Sequence, residues 1–241
     1  MPLVYGHRGD PVAAPENTLA AFRAAAAAGA DGIECDLHVL EDDTIVIIHD
    51  DTYDRTTDGR GPVEAATWDA VARLSAGAWF GSGFAAERLP RLEDVLALAR
   101  ERGLRLDLEV KAGPRLGALL EGLLGAVPDP DGEQILVTSF DAEALEALAR
   151  RVKGAALGLL AVAGSPDPVE RAARLAVGTV VPRFASVAAD PGILERARAR
   201  GQRVLVWDVD READLRWLGA AGVWGVITDH PGRAKAALGP S

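Results

Sequence analysis

Short β-rich segments and amphipathic Ala/Leu/Arg-rich segments alternate eight times along these 241 residues, with no break in the pattern. The β-rich runs fall at 3–6, 32–36, 105–110, 134–138, 155–160, 178–181, 203–207 and 225–228. Helical patterns fall at 18–28, 92–102, 115–125, 142–151, 167–176, 190–200, 211–220 and 231–238. Strictly alternating β and α units predict a parallel sheet, and eight of them at this length predict one (β/α)₈ TIM barrel spanning 1–241. A doubly wound sheet is the competing arrangement. It calls for a glycine-rich G-x-G-x-x-G loop after a strand, and no such sequence occurs.

Two segments depart from the alternation. Ile45-Val46-Ile47-Ile48 is a ninth β-like run, separated from the second strand only by the turn-prone Glu41-Asp42-Asp43-Thr44. A parallel neighbour needs a crossover of a dozen or more residues, so 32–48 reads as an antiparallel hairpin. A turn near 42–43 puts Asp36 opposite about residue 49, and His49 beside Glu34 and Asp36. Residues 51–91 fit no β/α unit. They hold Trp68, Trp79, Phe80 and Phe84 and read as a small inserted cap over the barrel mouth.

A net charge of −10 and the lack of a basic run exclude nucleic acid as a partner. An anionic substrate needs local cations, from side chains or a metal, to reverse that field. The single cysteine, Cys35, excludes an intrachain disulfide and a cysteine-built zinc site. No stretch has the length and apolarity of a membrane span or a signal peptide, which predicts a cytoplasmic enzyme.

The chemistry-bearing residues gather at strand ends, which form the active face of such barrels. His7-Arg8 ends the first strand and offers a group that moves protons near neutral pH beside a bidentate phosphate grip. Glu34 and Asp36 end the second strand on one face, with Cys35 on the other. Glu109 and Lys111 repeat that alternation on the next barrel strand. Converging carboxylates repel unless a cation or proton lies between them, and a hard divalent cation suits oxygen donors. His49-Asp50 ends the hairpin and Trp207 the seventh barrel strand. Pro15-Glu16-Asn17-Thr18 opens the first helix, where Asn17 or Thr18 reads as an N-cap and Glu16 as a partner for Arg8. His38 and His230 read as incidental. Taken singly, each of these groups also has an ordinary structural reading. Lys111 further admits a Schiff-base aldolase, although three carboxylates nearby would keep it protonated.

The sequence resembles bacterial glycerophosphodiester phosphodiesterases. His7-Arg8-Gly9 with Pro15-Glu16-Asn17-Thr18 is similar to the family's opening signature. Glu34-Cys35-Asp36 and Ile47-Ile48-His49-Asp50 resemble its metal and histidine segments. The blocks Asp54 to Gly59, Leu89 to Glu93, Glu109-Val110-Lys111, Ser139-Phe140-Asp141, Val206-Trp207 and Gly225 to Asp229 extend the match over nearly the whole chain. The resemblance implies a TIM barrel with an inserted cap, one divalent metal (Mg²⁺ or Ca²⁺, with Mn²⁺ a further candidate), and hydrolysis of glycerophosphodiesters to sn-glycerol 3-phosphate and an alcohol. By position it implies Glu34, Asp36 and Glu109 as metal ligands, His7 and His49 as the acid–base pair, and Arg8 and Lys111 as phosphate holders, with Trp207 as a substrate contact. The nucleophile is water or the neighbouring glycerol hydroxyl, the latter giving a cyclic phosphate. Arg8 should favour a neutral His7 and the carboxylates a protonated His49, which makes His7 the first-step base. Asp43 stands where a turn glycine is usual. Arg91, Asp208 and Trp224 also depart from the pattern and bear on the alcohol accepted. A lysophospholipase D-type activity uses the same chemistry and would need an apolar groove for an acyl chain.

Overall fold

The computed structural model describes residues 1–111, 119–120, 134–151 and 156–239. Nine strands follow in chain order: β1 (Leu3–Gly6), β2 (Gly32–Val39), β3 (Ile45–Ile47), β4 (Arg105–Val110), β5 (Ile135–Ser139), β6 (Ala156–Ala161), β7 (Thr179–Pro182), β8 (Arg203–Val206) and β9 (Gly225–Thr228). All but β3 pair in parallel, and the ring closes because β1 lies between β2 and β9. The chain is therefore a closed eight-stranded (β/α)₈ barrel. The described helices are α1 (Leu19–Ala27), α2 (Trp68–Val71), α3 (Leu92–Arg102), α4 (Ala142–Arg151), α5 (Pro168–Arg174), α6 (Phe184–Ala189), α7 (Gly192–Ala199), α8 (Glu212–Ala221) and α9 (Pro231–Leu238).

Alternation of side chains along the strands builds two cores. Outward-facing Val4, Ile33, Leu106, Val137 and Val226 pack under the helices in one large cluster. Inward-facing Tyr5, Leu136, Leu160, Val181, Leu205 and Ile227 fill the barrel interior as a separate cluster. That plug closes the barrel, so polar groups at the C-terminal strand ends stand on an apolar floor.

The eight expected strands are present. Of the expected helix over 115–125, only Leu119 and Leu120 are described, and both are helical; the rest of that segment lies outside the described residues. One helix was not expected: α6 spans only six residues, too few for a periodic pattern to emerge. Its start is fixed from outside, by the backbone bridge between Arg183 and Trp207.

The hairpin forms as expected, but one residue out of register. Leu37 faces Ile47, and the Ile48 N–H donates to the Asp36 carbonyl, so Asp36 sits opposite residue 48 and not 49. The cause is a tighter turn. Leu40 N–H donates to Thr44 and Asp43 N–H to Leu40, with Asp43 at φ 68°, which accounts for a glycine being usual there. A slip of one residue normally reverses a side chain's face. His49 escapes this because β3 ends at Ile47.

Residues 51–91 pack on the hairpin. Tyr53, Val63, Val71, Ala76 and Leu89 bury themselves with Leu40, Val46 and Ile48, and Trp68 joins at the edge. Trp79, Phe80 and Phe84 form an edge-to-face chain with centroids 5.6 and 5.3 Å apart.

Candidate active site

The turn after β1 places two functional side chains at once. Gly9 N–H closes it on Gly6, and Arg8 takes φ 54°, an uncommon conformation for a residue with a side chain. A Cβ on Gly6 would collide with the Gly9 carbonyl oxygen. Gly6→Ala is therefore expected to cost about 1–3 kcal/mol, as overpacking does, and to lower activity with it. Thermal melts beside initial rates would check this; an unchanged melting temperature with full activity would contradict it.

His7, Arg8, Glu34, His49, Asp107, Glu109, Lys111, Thr138, Phe140, Leu160, Trp207 and Ile227 line one cavity of about 220 Å³ at the barrel mouth. Carboxylate oxygens of Glu34, Asp36 and Glu109 come within 4.8 Å of one another. The β2–β4 register explains this, since Asp36 lies beside Glu109 and Glu34 beside Asp107. Lys111 Nζ lies 2.6 Å from both Asp36 Oδ1 and Glu109 Oε1. Asn17 Nδ2 donates to Asp36 Oδ2 at 2.7 Å, and Arg8 Nε approaches the same oxygen at 3.3 Å.

These contacts divide the carboxylates. Burial alone would raise the Asp36 pKa, but Lys111 and Arg8 outweigh it and bring it down to about 2. Among the described residues, Glu34 accepts only from the Arg8 backbone N–H, at 2.9 Å. Burial, reinforced by Asp36, drives its pKa well above the usual carboxylate range. Asp107 lies deeper on the same face of β4. It accepts from Thr138 Oγ1 at 2.7 Å, its Oδ2 is buried without a partner, and burial pushes its pKa up to about 8. Three convergent carboxylates, one of which resists ionising where no cation is present, fit a hard divalent cation.

Each histidine is oriented by a carboxylate. His7 Nδ1 donates to Asp229 at 2.7 Å and His49 Nδ1 to Asp50 at 2.7 Å, which leaves both Nε2 atoms for chemistry. Burial disfavours a charged His7, but the Asp229 hydrogen bond and Glu34 override it and raise its pKa to about 9. Asp50 is shared: Arg55 grips its two oxygens at 2.7 and 2.9 Å. The same guanidinium grips Glu16 at 2.7 and 2.9 Å, and Glu16 accepts from Arg8 Nη1 at 2.7 Å.

Comparison with known proteins decides the family. The sequence profile of the Glycerophosphoryl diester phosphodiesterase family matches residues 7–233. The chain belongs to that family. A glycerophosphodiester phosphodiesterase of Caldanaerobacter subterraneus is 36% identical over 95% of this chain and 94% of its own. Among solved structures, an Oleispira antarctica phosphodiesterase in complex with the product sn-glycerol-3-phosphate superposes with a TM-score of 0.92. It is 27% identical over 100% of this chain and 98% of its own. A glycerophosphodiester phosphodiesterase of Agrobacterium tumefaciens superposes at 0.84, with 30% identity over 98% of this chain and 100% of its own. Membership in the glycerophosphoryl diester phosphodiesterase family makes the chain a phosphodiesterase.

All the site residues expected from the sequence meet at this mouth: seven line the cavity and Asp36 lies buried behind them. The expected partnership of Glu16 with Arg8 is present. Thr18 is the N-cap of α1, accepting from Ala21 N–H, while Asn17 turns to Asp36 instead. Lys111 is held as an ammonium despite burial, by Asp36 and Glu109, which disfavours Schiff-base chemistry. Three expectations need correction. Arg8 does not keep His7 neutral, because the Asp229 hydrogen bond and the Glu34 charge outweigh both burial and Arg8. Among the described residues, none of 51–91 lines the cavity, and the described packing of its aromatics is with one another and on the hairpin. Trp224 and Arg91 cannot shape the alcohol subsite: Trp224 packs on Tyr5 and Arg203 at the opposite end of the barrel, and Arg91 stacks on Trp68. The sequence reading gave no role to Asp229, Arg55 or Asp107. Asp229 had a usable signal, because closing a barrel puts the end of the last strand beside the end of the first. Gly6 faces Thr228, so His7 meets Asp229.

Among the described residues no helix is long and apolar enough to cross a membrane.

Proposed function

We propose that this phosphodiesterase hydrolyses glycerophosphodiesters to sn-glycerol 3-phosphate and an alcohol, with one divalent cation and a histidine acid–base pair. The observation that carries the reading is the cavity itself: two histidines, each oriented by its own carboxylate, face a convergent Glu34–Asp36–Glu109 cluster flanked by Arg8 and Lys111. The product complex of the Oleispira antarctica relative supports the glycerol phosphate half of the substrate.

Glu34, Asp36 and Glu109 would hold Mg²⁺ or Ca²⁺, with Mn²⁺ a further candidate. Such an ion offsets the carboxylate charge and polarises the phosphodiester. Arg8 and Lys111 supply positive charge where an anionic diester lands, against the molecule's net charge of −10. Asp229 holds His7 protonated, so its Nε2 donates to the departing alkoxide oxygen. Asp50, gripped by Arg55, orients His49, whose Nε2 takes the proton of the attacking hydroxyl. This reverses the division of labour expected from the sequence. Trp207 Nε1 is fixed on the Val181 carbonyl at 2.9 Å, and its ring meets Phe140 edge-on at 5.7 Å. Together they give the cavity an apolar wall opposite the carboxylates, against which a glycerol or head-group chain packs. Chain 1–241 acts as one barrel domain, with 51–91 a subdomain inserted on the hairpin.

The cavity that the described residues line, about 220 Å³, accommodates a phosphate with small alcohols, which favours deacylated diesters as substrates. Glycerophosphocholine and lysophosphatidylcholine assayed side by side in Mg²⁺, Ca²⁺ and Mn²⁺ test this. The kcat/KM should be at least ~10-fold higher for the deacylated diester, the discrimination a pocket gives against excess methylenes. A preference for the lysophospholipid would overturn the substrate assignment.

A further inference from the structure

We propose that Arg55 is a positioning residue that fixes His49 and Arg8 in one frame, so that the proton-transfer group and the phosphate grip are held in register. The proposal rests on the functional reading above. Four separate segments are tied together through this guanidinium: Glu16 precedes α1, Asp50 follows β3, Arg55 itself comes from the inserted segment, and Arg8, which follows β1, is reached through Glu16. All three of its nitrogens are used. Nε and Nη2 take the two oxygens of Asp50, and Nη1 and Nη2 take the two oxygens of Glu16. Asp50 passes the constraint to His49 Nδ1, and Glu16 passes it to Arg8 Nη1.

The arrangement is unusual for a structural ion pair. Without Arg55, no cation would bridge the Asp50 and Glu16 carboxylates, and the His49–Asp50 and Arg8–Glu16 pairs would no longer be tied to each other. A lysine cannot replace it, because one ammonium does not span two carboxylates in two parallel pairs of hydrogen bonds. The side chain of Arg55 is 44% exposed, so its removal opens no core cavity. Exposed ion pairs contribute little to stability. Misplacing a catalytic group by about 1 Å, in contrast, costs on the order of 10²-fold in rate. Loss of Arg55 should thus be felt in turnover and hardly in folding, the opposite of a structural role. The inserted segment then serves the site through one charged strap.

The test is R55A, with R55K beside it. In R55A, kcat on glycerophosphocholine should fall ~10²-fold and KM should rise several-fold, because both His49 and Arg8 are released. The melting temperature should stay close to that of the wild type. Because the site is open to solvent, millimolar methylguanidinium should restore part of the lost kcat, and methylammonium should restore none. R55K should show the same loss of kcat, and carries the test alone if R55A does not fold. An R55A or R55K enzyme within about threefold of the wild-type kcat would overturn the proposal, as would a loss that follows melting temperature and resists methylguanidinium. A second readout needs no turnover. The hydrogen-bonded Nδ1–H proton of His49 should give a downfield NMR resonance in the wild type that is lost in R55A, and its persistence would also overturn the proposal. If the wild type hydrolyses no glycerophosphodiester, the functional reading fails and the clamp is judged on that resonance.

Discussion

Replacing Glu34 with Gln is expected to abolish turnover, by at least ~10³-fold or about 4 kcal/mol of transition-state stabilisation, while the metal-free protein becomes no less stable. Glu34 is buried beside Asp36 with one backbone N–H for company, and its pKa stands well above the usual range. A carboxyl with a raised folded-state pKa loses stability as pH climbs from its unfolded value, about 4.3, through its folded one. Above that unfolded value the site therefore resists the ionisation that the unfolded chain undergoes freely, which costs the chelated protein stability, and the non-titrating Gln removes that cost. Each kcal/mol relieved corresponds to about 2–4 °C in melting temperature at this chain length. The cation reverses the ranking. Anything that binds only the folded state stabilises it, by about 2.7 kcal/mol at one hundred times its dissociation constant. Wild-type protein should gain melting temperature on adding Mg²⁺ or Ca²⁺, and E34Q should gain little. An E34Q enzyme that keeps activity, or one that melts well below chelated wild type, would refute this account of the cluster.

His7→Ala and His49→Ala should each lose ~10²–10⁴-fold on an alkyl diester, the usual worth of a general acid or base. They should part company on a nitrophenyl diester, whose leaving group departs without a proton. With His7 as the acid, H7A should largely recover on that substrate and H49A should not. The pH profile gives an independent reading. A His7 pKa raised to about 9 keeps the acid form present through neutral pH and removes it as pH rises through that value. A cation bound nearby moves that pKa down, so the basic limb of kcat/KM lies at or below pH 9. Asp229→Asn should move the limb further down, toward the ordinary histidine value near 6.5. Recovery of H49A in place of H7A, or a basic limb unmoved in D229N, would reverse the assignment.

How much of this was legible in the sequence depended on whether a signal was local. Eight β/α alternations define the barrel because period-2 and period-3.6 patterns are written within a few residues each. Glu34 with Asp36, and Glu109 with Lys111, declared a shared face through the same alternation. The site's supporting residues were silent for the opposite reason. Asp229 meets His7 across 222 residues, and Arg55 meets Glu16 across 39, through contacts that only barrel closure and the packing of 51–91 create. The His7 charge state was misjudged from its neighbour in sequence, Arg8, when its neighbour in space was Asp229. The hairpin register slipped by one because Asp43 takes the left-handed conformation and tightens the turn between Leu40 and Thr44. The aromatics of 51–91 suggested a lid, whereas they pack among themselves and on the hairpin.

The most direct test of the whole account is ³¹P NMR of glycerophosphocholine incubated with purified protein, first with Mg²⁺ or Ca²⁺, then with excess EDTA, then with the cation restored. The account predicts conversion of the diester signal to that of sn-glycerol 3-phosphate, arrest on chelation, and resumption when the cation returns. Undiminished hydrolysis in excess EDTA, or no glycerol 3-phosphate with any of the cations, would contradict it.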